Sequence, residues 1–273
     1  MIDWKKEERV MVKILIDSGG IIYSSTMGNK VLDENNNPIK EDNKFKYTEK
    51  TVEEACYHAD NMLLQLFTTL QCTHYLGFVD TEFLNSFRRK LNPQYKANRD
   101  DRSSPKWLKE VKNHLIQEWG FIPSKGYIEA DDMVRIYANH YKDENIIIQS
   151  SDKDLLNLPF LTYNGRTGTL QQNTEEHYKN FFWTQMVTGD SADNVKALPR
   201  KGEKYAQKLF LENQDKNIEE VIFREYLSIF GENKGVEEFY KTYKSLHIVE
   251  SLNELPEEYR FEIQEFRQVP GTF

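Results

Sequence analysis

Cysteine is scarce in this chain, with Cys56 and Cys72 as its two examples among 273 residues. Both fall in one predicted helix and its exit, so we expect reduced thiols and a cytoplasmic protein without a disulfide framework. No apolar run approaches the roughly 20 residues that span a bilayer, and we expect no membrane partner. The basic and then apolar N-terminal segment runs into Asp17 without a small-residue cleavage site, which argues against a signal peptide.

Several kinds of catalytic motif are also missing. The sequence has no glycine-rich nucleotide loop, no Ser/His/Asp set and no zinc pattern, and its six histidines lack ligand spacing. The formal net charge of -8 at first argues against a nucleic-acid partner. The overall charge is misleading if acids are concentrated at one metal site. Neutralising the nine acids considered below would change it from -8 to +1.

Short apolar segments alternate with helical patterns along the chain. Residues 11–17, 74–80 and 145–150 are predicted strands, and each ends on or just before an aspartate. This alternation predicts an α/β fold with a twisted, mainly parallel sheet flanked by helices. Ligands of such sheets gather at the carboxyl ends of the strands. The three aspartate-terminated strands are therefore the first functional signal.

Helix boundaries follow from capping patterns. Thr51 and Glu54 form a capping-box pattern, and Ser104 before Pro105 has the order expected of an N-cap and first turn. Residues 24–50, which include a DENNNP tract, are predicted to be a surface loop or ribbon. The predicted helices run from Thr51 to about Leu70, from Ser104–Pro105 to Gly120, from near Glu129, and through most of the chain after Thr174.

Nine carboxylates form the main functional signal. Within EADD, SSDKD and TGDSADN the acids are one to three residues apart, so each motif can present them together. Gathered at one end of a sheet they would repel each other, and hard cations relieve that repulsion. All-oxygen sites favour Mg²⁺ or Mn²⁺, and two ions roughly 4 Å apart would clamp both oxygens of a phosphodiester displacement. The nine are Asp17, Asp80, Glu129, Asp131, Asp132, Asp152, Asp154, Asp190 and Asp193.

These motifs resemble the flap endonuclease superfamily of 5′ nucleases. The likeness is greatest to the stand-alone bacteriophage 5′–3′ exonucleases, including phage ribonuclease H, and to the 5′-nuclease domain of bacterial DNA polymerase I. It covers roughly residues 11–211 in the family's order. The segments that carry it are ILIDSGGIIY, VDTEFLNSFRRKLNPQYKANR, GYIEADDM, IIIQSSDKDLLNL and TGDSADNVKALPRKGEKYAQKLF.

The resemblance implies the chemistry and the ligand sets. It implies hydrolysis of phosphodiester bonds with two Mg²⁺ or Mn²⁺ ions, leaving a 5′-phosphate on the product. Around the first ion it places Asp17, Asp80, Glu129, Asp131 and Asp132. Around the second it places Asp152, Asp154, Asp190 and Asp193, some of them through water.

A basic segment lies between the acidic motifs. Residues 88–112 carry nine Lys or Arg against three acids, a net charge of +6, which favours binding of phosphates. It overlaps a segment, about residues 81–104, that by resemblance is a short arch in which Lys96 and Arg99 are catalytic and neutralise charge on the scissile phosphate. Tyr23 corresponds to an aromatic on which a base stacks. The predicted DNA-binding residues in this part are Tyr23, Arg88, Arg89, Tyr95, Lys96 and Arg99.

Residues 193–210 resemble the family's helix–turn–helix element, which holds duplex backbone. The hairpin departs from the family's glycine-rich pattern, because Ala197 and Arg200 occupy positions that are usually glycine and Lys201 replaces an apolar residue. Arg200 and Lys201 add side-chain cations where backbone amides usually meet a phosphate. The predicted DNA-binding residues here are Lys196, Arg200, Lys201, Gly202 and Lys204.

We therefore expect a catalytic core with a PIN-like 5′-nuclease fold over residues 1–190, including the arch, and a helical DNA-binding region over 191–273. The expected protein is a monomeric structure-specific 5′ nuclease in the cytoplasm, or the host cytoplasm if of phage origin. Its expected substrates are branched or duplex DNA with a 5′ end or flap and RNA–DNA hybrids, with replication proteins as partners. The alternatives are a PIN-type ribonuclease and a catalytically inactive branched-DNA binding protein.

Overall fold

A computed structural model describes residues 11–41, 44–80, 86–100 and 104–271. Residues 81–85 and 101–103 of the predicted arch lie outside the described residues. The strands are β1 (Lys13–Asp17), β2 (Lys40–Glu41), β3 (Lys44–Phe45), β4 (His74–Val79), β5 (Ile122–Pro123), β6 (Ile146–Ser150), β7 (Leu161–Asn164), β8 (Thr169–Gln172) and β9 (Arg267–Gln268). The helices are α1 (Gly19–Thr26), α2 (Val52–Leu70), α3 (Phe87–Leu91), α4 (Leu108–Gln117), α5 (Ala130–His140), α6 (Lys153–Leu156), α7 (Glu175–Thr188), α8 (Glu203–Glu212), α9 (Ile218–Phe230) and α10 (Glu232–Leu246).

The main sheet has seven strands, with β5, β4, β1, β6, β7 and β8 in that spatial order and β9 paired to β4. The first five are parallel to one another, while β8 is antiparallel to β7 and β9 is antiparallel to β4. The predicted mainly parallel α/β sheet is thus confirmed. In register, β1 lies between β4 and β6, so the carboxyl ends of the three aspartate-terminated strands are neighbours.

Helix prediction succeeded where a cap was complete. Thr51 caps α2, its hydroxyl accepting the Glu54 N–H and the Glu54 carboxylate accepting the Thr51 N–H, as predicted. The predicted start at Ser104–Pro105 was wrong, because α4 begins at Leu108. The Leu108 N–H closes a turn onto the Pro105 carbonyl, and the Trp107 indole donates to the Lys50 carbonyl at 2.7 Å. Trp107 is therefore the N-cap of α4, and its side chain contacts the end of the segment before α2.

Two antiparallel features flank the parallel core. Residues 24–50 were predicted as a loop or ribbon, but residues 24–26 belong to α1. The described residues from 27 to 50 form a small antiparallel ribbon that includes β2 and β3. The hairpin of β7 and β8 was not predicted, because its strands are short and β8 is exposed throughout, which leaves no alternating pattern. It extends the sheet beyond β6 and brings the turn at residues 165–168 beside the carboxyl edge.

Two apolar clusters pack on the sheet and a third joins the C-terminal helices. The third contains Phe182 and Met186 of α7 together with side chains of α8, α9 and α10. The chain was predicted to be mostly helical to its end, but residues 247–271 contain no α-helix. They cross back to the sheet, where Leu255 packs in the cluster around α5 and β9 pairs with β4. Among the helices of the described ranges, none combines the length and apolar character that a bilayer span needs.

Candidate active site

The carboxyl edge of the sheet carries a cleft lined by acids. Asp17 ends β1, and its two carboxylate oxygens accept the Gly19 N–H at 3.0 Å and the Ser150 hydroxyl at 2.7 Å. Asp80 follows β4 and accepts the Ala130 N–H at 2.6 Å. These bonds fix both carboxylates against the first turns of α1 and α5, where unsatisfied N–H groups favour negative charge.

Four carboxylates share this cleft, namely Asp17, Asp80, Asp131 and Asp152. Burial raises the pKa of Asp17 to about 6, with repulsion from Asp80 and Asp152 adding to the shift. Burial, Asp152 and Asp17 hold the pKa of Asp131 well above its ordinary value. No described Lys, Arg or His side chain forms an ion pair with any of the four. The site thus concentrates negative charge, and a bound cation would favour the ionised form of the four groups.

The donor set fits a hard divalent cation. All four cleft groups are carboxylates, as magnesium and manganese prefer. Oε1 of the neighbouring buried Glu129 has no hydrogen-bond partner among the described residues, and Arg88 Nη1 lies 3.8 Å from it, so this oxygen keeps the capacity to bind a cation. In the described part of the chain, no three acidic, His or Cys side chains are gathered as ligands around one point. A bound ion would therefore have to draw the carboxylates together.

A second acidic group lies beside the first. Burial, with repulsion from Asp152, raises the pKa of Asp154 to about 7, although Gln185 donates to its Oδ1 at 2.8 Å. The Asp190 carboxylate is buried and accepts the Lys153 ammonium at 2.7 Å. Gln185 also reaches Asp190, at 3.4 Å, and so bridges these two acids. Lys153 and Gln185 were not predicted, since only the fold brings α6 and α7 together here.

Lys96 is buried between two of the predicted ligands. Its ammonium contacts Glu129 and lies 3.8 Å from Asp193 Oδ2, while Arg99 donates to Asp193 Oδ1 at 2.5 Å. Burial lowers the pKa of Lys96, but Glu129 and Asp193 outweigh it, and the pKa lies well above its ordinary value. Lys96 is thus a fixed cation, and together with Arg99 it lines the cleft next to Asp80.

Asp132 has a different position from the other acids. Both of its carboxylate oxygens accept hydrogen bonds from Arg88, at 2.7 and 2.6 Å, and backbone N–H groups of Val249 and Glu129 complete its shell. Burial would raise the pKa of Asp132, yet Arg88 and these N–H groups hold it below its ordinary value. The structure therefore contradicts two predictions: Asp132 is not placed as a metal ligand, and the buried Arg88 is not placed to bind DNA.

Other predicted DNA contacts divide into exposed and internal residues. Tyr23 is 55% exposed on α1 and lines the cleft, as a stacking residue requires. Tyr95 is buried, with its hydroxyl 3.3 Å from Glu129 and 3.2 Å from Asp193, so its prediction as a DNA contact is wrong. Arg89 donates to the Tyr95 carbonyl at 2.6 Å and pairs with Asp100. It therefore braces the segment that carries Lys96.

Two unpredicted cations also line the cleft. Arg166, in the turn between β7 and β8, has an exposed side chain that forms no ion pair within the described ranges. Lys112 of α4 contacts the Asp80 carbonyl, and burial lowers its pKa. Lys112 belonged to the basic run, but its place at the cleft depends on how α4 packs. Arg166 carried no sequence signal, because the β7–β8 hairpin was not predicted.

Within the predicted helix–turn–helix, residues 193–210, the structure has one helix, α8, preceded by turns. The preceding helix, α7, ends at Thr188, and the isolated bridge between Asp190 and Val195 lies between the two helices. Arg200 adopts a left-handed φ of 61°, the conformation that a glycine would adopt freely. Lys196, Lys204 and Arg200 are exposed, and the Lys201 ammonium lies 3.7 Å from the Tyr205 ring centroid.

The fold and cleft define an α/β protein with an acidic site, suited to binding a cation, at the carboxyl edge of a mainly parallel sheet. The family model described as 5′-3′ exonuclease, N-terminal resolvase-like domain, matches residues 14–182, and the chain belongs to this family. Similar curated proteins are a 5′-3′ exonuclease of Mycoplasmopsis pulmonis, 30% identical over 154 residues, and one of Buchnera aphidicola, 28% identical over 150 residues. These matches cover 50% of this chain and 50% and 51% of the relatives, so the chain spans about half their length.

Solved structures share the fold. A bacteriophage T5 protein crystallised with metal ions has a TM-score of 0.60 and 17% identity, with coverage of 88% of this chain and 89% of the other. A bacteriophage T5 flap endonuclease in a complex with DNA and metal ions has a TM-score of 0.54 and 15% identity, covering 86% of this chain and 99% of the other. The likeness extends beyond residue 182 and so includes part of the helical C-terminal region.

Proposed function

We propose that the chain is a divalent-metal-dependent 5′ nuclease that hydrolyses phosphodiester bonds near the 5′ ends of branched or duplex DNA. One observation carries the proposal: Asp17, Asp80, Asp131 and Asp152 meet in one cleft at the carboxyl edge, where Lys96 and Arg99 also lie. The names of the curated relatives, 5′-3′ exonuclease, support the same activity.

Mg²⁺ or Mn²⁺ bound at the cleft would act as a Lewis acid and stabilise negative charge on phosphate oxygens. The proposed ligands of one ion are Asp17, Asp80, Glu129 and Asp131, without Asp132. The proposed ligands of a second ion are Asp152, Asp154, Asp190 and Asp193, some of them through water, and Asp193 keeps its contact with Arg99. Asp190 is paired with the Lys153 ammonium in this structure. A bound divalent ion, which carries more charge, would replace that ammonium.

The remaining cleft residues position the substrate. Lys96 is held by Glu129, so its charge is in place before substrate binds, as stabilisation of a developing charge requires. Arg99 is anchored on Asp193 and is more exposed, which suits it to contact a phosphate oxygen. Tyr23 offers an exposed ring on which a base next to the cleaved bond would stack.

Duplex DNA would extend from the cleft to the turns between α7 and α8. No acidic partner lies within 4 Å of Lys196, Arg200, Lys201 or Lys204 among the described residues, so these cations can bind phosphates. Asp193 and Ala192, at the start of this segment, also contact Arg99 and Asn98. The segment is thus continuous with the cleft, and one duplex can contact both.

The test is metal-dependent cleavage by the wild-type chain and by Asp152→Asn. Substrates are a 5′-labelled flap, a nicked duplex, an RNA–DNA hybrid and a single-stranded RNA. We expect chelator to abolish cleavage and Mg²⁺ or Mn²⁺ to restore it. Asp152→Asn should lose turnover but keep DNA binding, because the change removes a repulsive charge.

Asp143→Asn, which alters an exposed acid outside the cleft, is the matched control and should cleave normally. Near-normal turnover by Asp152→Asn would overturn the assignment of the site. Preference for single-stranded RNA would indicate a PIN-type ribonuclease instead. Binding of branched DNA without any cleavage in Mg²⁺ or Mn²⁺ would indicate an inactive binding protein.

A further inference from the structure

The antiparallel ribbon of residues 27–50 is not used by the proposed active site, although its base adjoins the cleft. Met27, where the ribbon begins, lines the cleft together with Tyr23. A β-carbon on Gly28 would lie 1.7 Å from the Thr48 carbonyl oxygen, so the two strands touch at the base. The base of the ribbon, where these two segments are in contact, thus directly follows α1 in the chain.

The last residues of the ribbon, which follow Thr48 at its base, contact α4 and the turn before it, and α4 borders the same cleft. The Lys50 carbonyl accepts the Trp107 indole N–H at 2.7 Å, and the Lys50 ammonium donates to the Ser25 carbonyl at 2.9 Å. Glu49 pairs with Lys106 at 3.1 Å. Leu108, just beyond, lines the cleft. The ribbon therefore projects from between the two helices that border the cleft.

Backbone pairing determines which side chains share a face of the ribbon. The Val31 N–H donates to the Lys46 carbonyl and the Thr48 N–H to the Asn29 carbonyl, which makes Lys30 and Tyr47 a non-hydrogen-bonded antiparallel pair. Lys40 and Phe45 form a second pair. Opposite residues lie on one face, and so do residues two apart in a strand. Hence Lys30, Lys40, Phe45 and Tyr47 share a face, here called the lysine–aromatic face.

This face is basic and exposed. The ammonium groups of Lys30 and Lys40 lie 4.1 and 4.7 Å from the centroid of the Phe45 ring. Neither lysine forms an ion pair with a described acid, and Phe45 and Tyr47 are each 38% exposed. An ion pair between two residues of the ribbon joins Glu41 to Lys46, which lie on the opposite face. The two faces therefore differ in charge.

We propose that the lysine–aromatic face is an accessory nucleic-acid contact, with Lys30 and Lys40 binding backbone phosphates and the aromatic rings contacting sugars or bases. Surfaces that bind nucleic-acid strands combine cations, which contact phosphates, with aromatic rings, on which bases stack. The contact rests on the proposed nuclease function, because it extends that function's substrate surface. Phe45 lies three residues from Thr48, about 10 Å from the base at ~3.4 Å per residue.

The experiment compares Lys30→Ala/Lys40→Ala with Lys46→Ala, which removes a lysine of the same ribbon from the opposite face. Binding of a flap substrate is measured over a range of salt concentrations in the Asp152→Asn background, where cleavage does not interfere. Each phosphate contact contributes about 0.9 to the slope of log K against log salt. We expect the double variant to bind more weakly and to flatten the slope by about one to two. Lys46→Ala should behave as wild type.

Two further measurements make the result decisive. Lys30→Arg/Lys40→Arg keeps both charges and should restore affinity, which a damaged ribbon would not do. In substrates with progressively shortened arms, the difference between wild type and the double alanine variant should vanish once the arm that reaches the ribbon is removed. An unchanged slope in the double variant, or an equal change in Lys46→Ala, would refute the contact. Failure of the wild-type chain to cleave any substrate with metal would instead refute the proposed nuclease function.

Discussion

Arg88 and Asp132 form a buried bidentate ion pair, with Nη1 2.7 Å from Oδ2 and Nη2 2.6 Å from Oδ1. Nη2 also donates to the His247 carbonyl at 2.6 Å, and Oδ1 also accepts the Val249 N–H at 2.9 Å. The pair thus joins α3, α5 and the segment after α10. It holds the C-terminal segment against the core close to the acidic cleft, without being part of that cleft.

Asp132→Asn should destabilise the protein but leave metal binding largely intact. Removing one partner of a buried pair typically costs about 3–5 kcal/mol. Here Arg88 would lose its bidentate partner and keep the more distant Glu129, with Nη1 3.8 Å from Oε1. Urea unfolding would measure the loss, and calorimetric titration with Mn²⁺ would measure metal affinity. Asp131→Asn is the comparison, with weaker metal binding and no such loss of stability. Wild-type stability combined with lost Mn²⁺ affinity in Asp132→Asn would show that Asp132 is a ligand after all.

Lys96→Ala should reduce the single-turnover cleavage rate by roughly two or more orders of magnitude, as the loss of a preorganised electrostatic group does. Substrate affinity should change much less, because Lys96 is buried and presents little surface to DNA. Rapid-mixing kinetics at saturating substrate would measure the rate, with Lys90→Ala, an exposed lysine of α3, as the control. A variant that binds weakly yet cleaves at the normal rate when saturated would make Lys96 a binding residue only.

The ends of the strands could be predicted from sequence because they depend on local patterns. Asp17, Asp80 and Asp152 each follow a short apolar strand, and parallel strands place their carboxyl ends at one edge. The roles of Asp131 and Asp132 could not be separated in this way, since both lie in the first turn of α5. Which one faces the cleft depends on Arg88, 44 residues before Asp132 in the chain.

Other parts of the fold were also set by distant contacts. α4 begins at Leu108, after a turn from Pro105, and the preceding Trp107 bonds to Lys50, 57 residues away, a contact that no local pattern encodes. Residues 247–271 are short of apolar periodicity, so their return to the sheet was not apparent. Arg200 shows the converse case, because its backbone has the left-handed φ of 61° that suits the glycine implied by the resemblance at this position.

Glu254→Gln should lower stability at neutral pH but not in strong acid. Burial would raise the pKa of Glu254, but the His247 hydrogen bond at 2.8 Å and the Glu250 N–H outweigh it, and the pKa lies below 4.5. A carboxyl group with a lower pKa in the folded than in the unfolded state stabilises the fold at pH values above the unfolded-state pKa. This stabilisation is lost as the pH falls through the folded-state pKa. Urea midpoints from pH 7 downward would show the difference from wild type shrinking below about pH 4.5. Glu257→Gln, at an exposed position, should show no such trend, and a constant difference would contradict the linkage.

Replacing Arg200 and Lys201 with alanine should flatten the salt dependence of duplex binding. Neither residue forms an ion pair with a described acid, so each can contact a phosphate as a side chain. Each lost contact reduces the slope of log K against log salt by about 0.9, so we expect a total reduction between about one and two.

Duplex-bearing substrates should weaken far more than bare single strands, because the turns between α7 and α8 are proposed to follow the duplex. Arg200→Gly distinguishes the effect of losing the charge from the effect of backbone strain, because glycine adopts the left-handed φ of 61° without strain. It should reproduce the loss of one contact without loss of stability. Lys208→Ala is the matched control, because the Lys208 ammonium already lies 3.6 Å from Glu212 on α8. An unchanged slope, or equal weakening on single strands, would indicate that both cations simply face solvent.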